Sequence, residues 1–240
     1  KLDRRTMTTQ NHDHAAIVNS RSIYQKNIHD AATYPYKVIK VPTDTKLGKK
    51  VKKGKLKGSK IYILTLEERA TCDSDCEHWL DCYGNNMPFA HRFIVNDALY
   101  PAIERDLDEL DTKGKPYLVR LHILGDFFNL KYVFFWRKQL AKRELLNIYG
   151  YTRNHPTKAL GIAIKAVRQE YGERFAIRFS NYPDDPMSAQ SKDLSTDGVG
   201  CPEQLGLAES CGDCALCWSM PNKPVIFYPD LHGRQSVHIK

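Results

Sequence analysis

The chain has 240 residues, enough to bury a large core without disulfides, and its 42% apolar and 27% charged residues suit a soluble globular protein. No apolar run approaches the ~20 residues that cross a bilayer and no signal-peptide pattern opens the chain, so no membrane partner is expected and the cytoplasm is the expected compartment. The net charge of +8 is unevenly placed: residues 1–60 carry 15 Lys or Arg against 4 Asp or Glu, and residues 61–240 carry 21 against 24. A protein that coats nucleic acid over its whole surface is thereby excluded, and a basic arm on a near-neutral body remains.

In chain order, residues 1–35 are polar and predict an arm with at most a short helix around Ala15–Asn27; His12 and His14 lie within it and carry no assigned chemistry. Tyr36–Val41 and Ile61–Leu66 predict the sides of a hairpin. Between them Lys46–Lys60 holds eight lysines and three glycines, which cannot sustain a helix and predict a solvated turn or flexible flap. The expected division is therefore 1–60, arm and flap, and 61–240, body. After Leu66 the pattern predicts a helix from Pro88 to Leu110, a strand Tyr117–Leu124 and an aromatic-rich helix Leu130–Leu145 whose rings pack in the core. Strand Asn147–Thr152, helix Thr157–Tyr171, strand Arg174–Ser180 and strand Pro224–Tyr228 complete it. This alternation predicts an α/β fold, a partial (β/α) barrel of mainly parallel strands, with its site at the carboxyl ends of the strands.

Seven cysteines, an odd number in two clusters, argue against a fully paired disulfide framework and for metal ligation in a reducing compartment. The first cluster is Cys72-x3-Cys76-x5-Cys82, in a loop that Asp73, Ser74, Asp75 and Glu77 make too polar for a core segment. Thiolates favour iron–sulfur clusters and zinc, and three of them after a strand can hold three corners of a cubane [4Fe-4S] cluster. The second is Cys201-Pro202 followed by Cys211-x2-Cys214-x2-Cys217. It is similar to the bacterial ferredoxin arrangement, with the Cys-Pro placed first, and its four thiolates would equally close a tetrahedral zinc site. The division of the seven between sites stays open at this point.

Strand ends add polar groups. Period-two alternation places Arg120, His122 and Leu124 on one face of the strand Tyr117–Leu124, and Gly125-Asp126 sets a carboxylate at its end, where Asp126 either caps the next helix or faces a site. Arg178 and Ser180 share a face of a later strand that ends at Asn181. Arg120, His122, Asp126 and Arg178 are the candidate catalytic residues.

A strand, a three-cysteine loop and a strand ending in Gly-acidic together resemble the front half of radical S-adenosylmethionine enzymes. The resemblance implies that Cys72, Cys76 and Cys82 bind a [4Fe-4S] cluster and that Gly125-Asp126 takes the place of the turn that contacts S-adenosylmethionine; Ser180 and Asn181, polar residues at a strand end, are further candidate cofactor-binding residues. The departure lies in the second cysteine gap, five residues here against two in that superfamily. Residues 60–230 are also similar to phage- and plasmid-encoded cysteine-rich proteins. The shared motifs are Cys82-Tyr83, the stretch His122–Phe128, the Tyr151-Thr152-Arg153 strand end and the tail from Cys201 to Trp218. That resemblance implies a radical-enzyme-like fold and names no reaction. A redox-sensing or structural iron–sulfur protein and a zinc-stabilised nucleic-acid-binding module are the alternatives. For the flap, Lys49, Lys50, Lys52 and Lys53 either contact nucleic-acid phosphates, without base selectivity, or form a solvated turn.

Overall fold

The computed structural model describes residues 14–192, 199–219 and 223–228; His12 lies outside them. Six strands form one sheet: β2 (Lys60–Ile63), β4 (Tyr117–Leu121), β5 (Leu146–Thr152), β6 (Phe175–Ser180), β7 (Ser188–Ser191) and β8 (Val225–Phe227). Every pair is parallel and each new strand adds to the same edge, so the sheet winds in one direction and curls into a half-barrel, the expected partial (β/α) barrel.

Its convex face is covered by α3 (Leu99–Asp111), α4 (Leu130–Lys142) and α5 (Ala159–Tyr171). Leu99, Ile103, Leu107 and Leu110 recur at helical spacing on α3 and pack with Tyr132, Val133, Trp136 and Leu140 of α4 against Val119, Leu121, Ile148 and Phe175 of the strands. Tyr132 and Trp136 thus belong to the core as expected, whereas Phe134 is exposed. Helix α3 begins eleven residues after Pro88 because the intervening chain forms β3 (Arg92–Phe93), which pairs in parallel with β1 (Ile28–His29) of the arm. The described part of the arm starts with one helical turn, α1 (Ala15–Val18), capped by His14 Nδ1, which accepts from the Ala16 amide at 3.1 Å.

The concave face is closed by two segments of the chain itself. Ile61, Ile63, Leu118, Tyr149 and Ala176 of the sheet meet Leu47 and Val51 of the lysine-rich stretch and Ala215, Cys217 and Trp218 of the carboxyl-terminal segment. The lysine stretch lacks a helix, as its glycines predict, but it is docked. Isolated antiparallel bridges Lys40↔Ile63 and Lys50↔Lys60 cover the edge strand β2 in place of a regular hairpin. The backbone also bonds to the second cysteine segment: the Cys211 and Gly212 amides donate to the carbonyls of Lys46 (2.7 Å) and Leu47 (3.1 Å), and the Lys52 amide donates to Gly212 O (2.9 Å). A Cβ at Gly212 would stand 2.2 Å from Lys50 O, so this approach requires glycine.

Candidate functional site

The first cysteine loop leaves β2 through α2 (Glu68–Thr71), with Cys72 as its C-cap. A buried polar frame holds the loop from below. Glu68 accepts from Ser22 Oγ and Arg92 Nε, each at 2.7 Å, and Arg92 also donates to the carbonyls of Ala90 (2.7 Å) and Gly84 (3.0 Å). Arg69 donates to Trp79 O and Asn85 Oδ1, both at 2.9 Å, and Asn85 in turn donates to Leu80 O at 3.0 Å. Neighbouring Glu67 is paired with Arg21 at 2.6 Å. Sequence reading missed this frame. Its local signal, Glu67-Glu68-Arg69 directly after a strand, looks like an ordinary solvated turn until Arg92 and the arm are folded over it.

Burial pushes the thiols of Cys72, Cys76 and Cys82 up, and the neighbouring groups add to it: Asp126 acts on Cys72 and Cys76, and Cys76 on Cys72 and Cys82. The three therefore share one electrostatic neighbourhood, which without a cation keeps them protonated. All seven cysteines are free thiols. Among the described residues no group of three or more His, Cys, Asp or Glu side chains stands in metal-binding geometry, so both cysteine sets are gathered without converging on a point.

Gly125 has φ +85°, and a Cβ there would lie 2.5 Å from Thr71 Oγ1 and 2.8 Å from Leu66 Cβ. This presses the turn after β4 against the base of the cysteine loop. Asp126 accepts from the amides of Phe127 (2.6 Å) and Arg153 (2.7 Å). Burial pushes its carboxyl up to about 6 against the pull of these hydrogen bonds. Asp126 does not cap α4: that position belongs to Asn129, whose side chain accepts from the Tyr132 amide at 2.8 Å. Arg153 stacks over Tyr182 at 4.9 Å and lowers the Cys76 thiol. Asn181 donates to Glu77 Oε1 at 2.5 Å and accepts from the Ser191 amide at 2.7 Å, which ties the cysteine loop to the ends of β6 and β7. Ser180 ends β6, half-buried beside Ala189.

Two expectations are corrected. His122 does not share a face with Arg120: β4 ends at Leu121, so the period-two rule stops there. The imidazole instead turns to α4, with Nε2 2.8 Å from Tyr132 OH, and burial followed by the Arg120 charge lowers it to about 3. Arg178, fully buried, is not open to a substrate; it donates to the carbonyls of Lys223 (2.7 Å), Cys217 (3.0 Å) and Leu216 (3.3 Å) and so binds the carboxyl-terminal segment to the barrel. Arg120 does point into the concave face, 5.5 Å over the Tyr151 ring, and its Nε has no hydrogen-bond partner among the described residues. The neighbours that favour its charge are Tyr149, Tyr83, Tyr151 and Cys211.

The second cysteine segment carries α6 (Cys211–Cys214) and α7 (Leu216–Ser219). Ser210 caps α6 and donates to Asp213 Oδ2 at 2.6 Å. Cys217 Sγ accepts from Tyr151 OH at 3.0 Å. Burial pushes the Cys201 thiol up to about 11 and raises those of Cys211 and Cys214, and nearness to Cys217 adds to all three. Of the four flap lysines, Lys52 is paired with Asp213 (2.9 Å) and Glu209 (3.5 Å).

Comparison of the chain with family models, with curated proteins and with solved structures finds no match. No helix among the described residues is long and apolar enough to cross a membrane.

Proposed function

We propose that this chain is an iron–sulfur protein of phage or mobile-element type, acting in the reducing cytoplasm of a host cell, with a [4Fe-4S] cluster on Cys72, Cys76 and Cys82. The observation that carries this reading is the gathering of those three thiols in one electrostatic neighbourhood, at the carboxyl end of β2 and beside the Asp126 carboxylate at the end of β4. The donor types suit a cluster, soft thiolates at a polar rim with protons that a cationic cluster would displace, and binding would have to draw the three to one point. A bound cluster supplies electrons for one-electron chemistry. The chain's own residues then have definite tasks. Asp126, raised to about 6 and so still mostly ionised at neutral pH, is suited to accept a hydrogen bond from an ammonium group such as that of S-adenosylmethionine. Arg120 offers charge to an anionic group inside the barrel. The Arg69–Asn85 brace gives the five-residue gap between Cys76 and Cys82 a definite shape.

For Cys201, Cys211, Cys214 and Cys217, the common field of Cys217 and the burial of the segment favour a closed site, either zinc or a second cluster, that fastens the segment to the barrel. Anaerobic purification or reconstitution tests both. Comparable iron and sulfide with absorbance near about 400 nm is expected, lost in Cys72→Ala if the second site holds zinc and reduced by about half if it holds a second cluster. Colourless protein holding only zinc would sink the cluster reading. Added S-adenosylmethionine then separates an enzyme, which forms 5′-deoxyadenosine on reduction, from a redox-sensing or structural protein, which does not.

A further inference from the structure

We propose that the hollow at the amino ends of β2 and β4 is a phosphate-binding site. It has a volume of about 290 Å³ and is lined by Lys50, Lys60, Lys113 and Lys115 with Tyr62 and Tyr117. Lys60 opens β2 and lies in register with Tyr117, which opens β4, while Lys50 faces Lys60 across an antiparallel bridge. Like charges opposite each other destabilise a strand pair unless an anion stands between them.

The described residues do not pair an anion with these lysines. Lys46, Lys52 and Lys55 are paired with Glu203, Asp213 and Glu173, but among the described residues none of the four cavity lysines has a carboxylate partner. The nearby acids are paired with other groups, Asp111 with Tyr117 OH and Arg143 and Glu109 with Lys37, and Lys113 acts on Glu109 only through space without an ion pair. Lys113 Nζ sits 5.8 Å over the Tyr62 ring, which holds the ammonium without neutralising it. Lysines give point charge and no planar fork, which suits phosphoryl oxygens and does not read bases. The volume lies at the small end of ligand pockets, about 300–1,000 Å³, and fits one or two phosphoryl groups. The site is at the opposite end of the strands from Cys72 and Gly125, so it stands or falls apart from the cluster. It also replaces the sequence-based set Lys49, Lys50, Lys52 and Lys53, of which only Lys50 lines the hollow.

Inorganic pyrophosphate is titrated into the full chain at constant ionic strength, read as the thermal midpoint, and a short fluorescent single-stranded oligonucleotide is tested in parallel. A saturable rise in midpoint is expected. Lys60→Gln/Lys113→Gln/Lys115→Gln is expected to weaken pyrophosphate by about tenfold or more, and Lys49→Gln/Lys53→Gln to leave it unchanged. Lys113→Arg, which keeps the charge, retains binding and serves if the triple variant does not fold. An oligonucleotide that binds and is displaced by pyrophosphate assigns the site to a nucleic-acid backbone; one that does not bind, while pyrophosphate does, assigns it to a small polyphosphate. No midpoint shift with pyrophosphate, or an equal loss in the Lys49/Lys53 variant, overturns the site.

Discussion

The two cysteine regions present the same thiol in different settings. Cys72, Cys76 and Cys82 are half-buried at the rim, above a buried polar frame contributed by Ser22, Glu68, Arg69 and Arg92. Cys201, Cys214 and Cys217 are 4%, 8% and 8% exposed and Cys211 is half-buried; their segment is wedged into the concave face with Trp218 against Tyr149 at 4.7 Å. A site that exchanges ligands needs reach from solvent, and a site that fastens a segment needs the reverse. On the proposed function, the difference suits the first region to chemistry and the second to anchoring.

The largest break in this comparison is expected from Arg92→Met. It leaves Glu68 as a buried charge without its close partner and should cost about 4 kcal/mol in urea unfolding. A loss below about 1 kcal/mol would mean that the frame does not hold the rim. Next, Arg178→Met strips a buried donor from three carbonyls of the anchoring segment and should cost about 3 kcal/mol. The same variant should speed modification of Cys217 by an aromatic disulfide reagent and leave Cys76 unchanged; equal rates at both would refute the anchor.

His122, under the rim, sharpens the comparison through pH. Its folded-state value, about 3, lies below the ordinary 6.5, so the native state resists a proton that the unfolded chain accepts. Its contribution is complete above pH 6.5 and is lost as pH falls toward about 3, with a slope of up to about 1.4 kcal/mol per pH unit. Asp126, raised to about 6, runs the other way between its ordinary 3.8 and that value. The measurement is therefore the difference between the natural chain and His122→Gln, both of which keep Asp126. A difference that stays flat from pH 7 to pH 5 would reject a buried neutral imidazole. The smallest effect separates the two thiol sets directly. Without metal, Cys214→Ser should cost about 1 kcal/mol, because it puts a hydroxyl in a buried pocket, and Cys76→Ser less than about 0.5. Equal costs would erase the contrast.

Elements with strong periodicity were legible from residues alone: Tyr117–Leu121, Leu130–Lys142, Leu146–Thr152, Ala159–Tyr171 and Phe175–Ser180 lie within a few residues of where the pattern predicts them. Strand β7, Ser-Ala-Gln-Ser, was not, because it carries no β-branched or aromatic residue and owes its extension to the neighbours it joins. The cysteine spacing marked both clusters, and Gly125-Asp126 marked the turn beside the first. The pairing of Glu68 with Arg92, 24 positions away, left no local trace.

By itself the sequence determined the alternation of strands and helices, the two groups of thiols and the concentration of charge in the first 60 residues, since each depends on residue type and short-range order. Only the tertiary structure decided what fills the concave face. Strand alternation tells that Arg178 and Arg120 point inward, not whether the chain itself or a ligand meets them there. It was also folding that turned one lysine-rich stretch into two populations. Lys46, Lys52 and Lys55 found carboxylates brought from distant parts of the chain, and Lys50 and Lys60 were left with Lys113 and Lys115 around a hollow, because charge pairing is set by proximity in space.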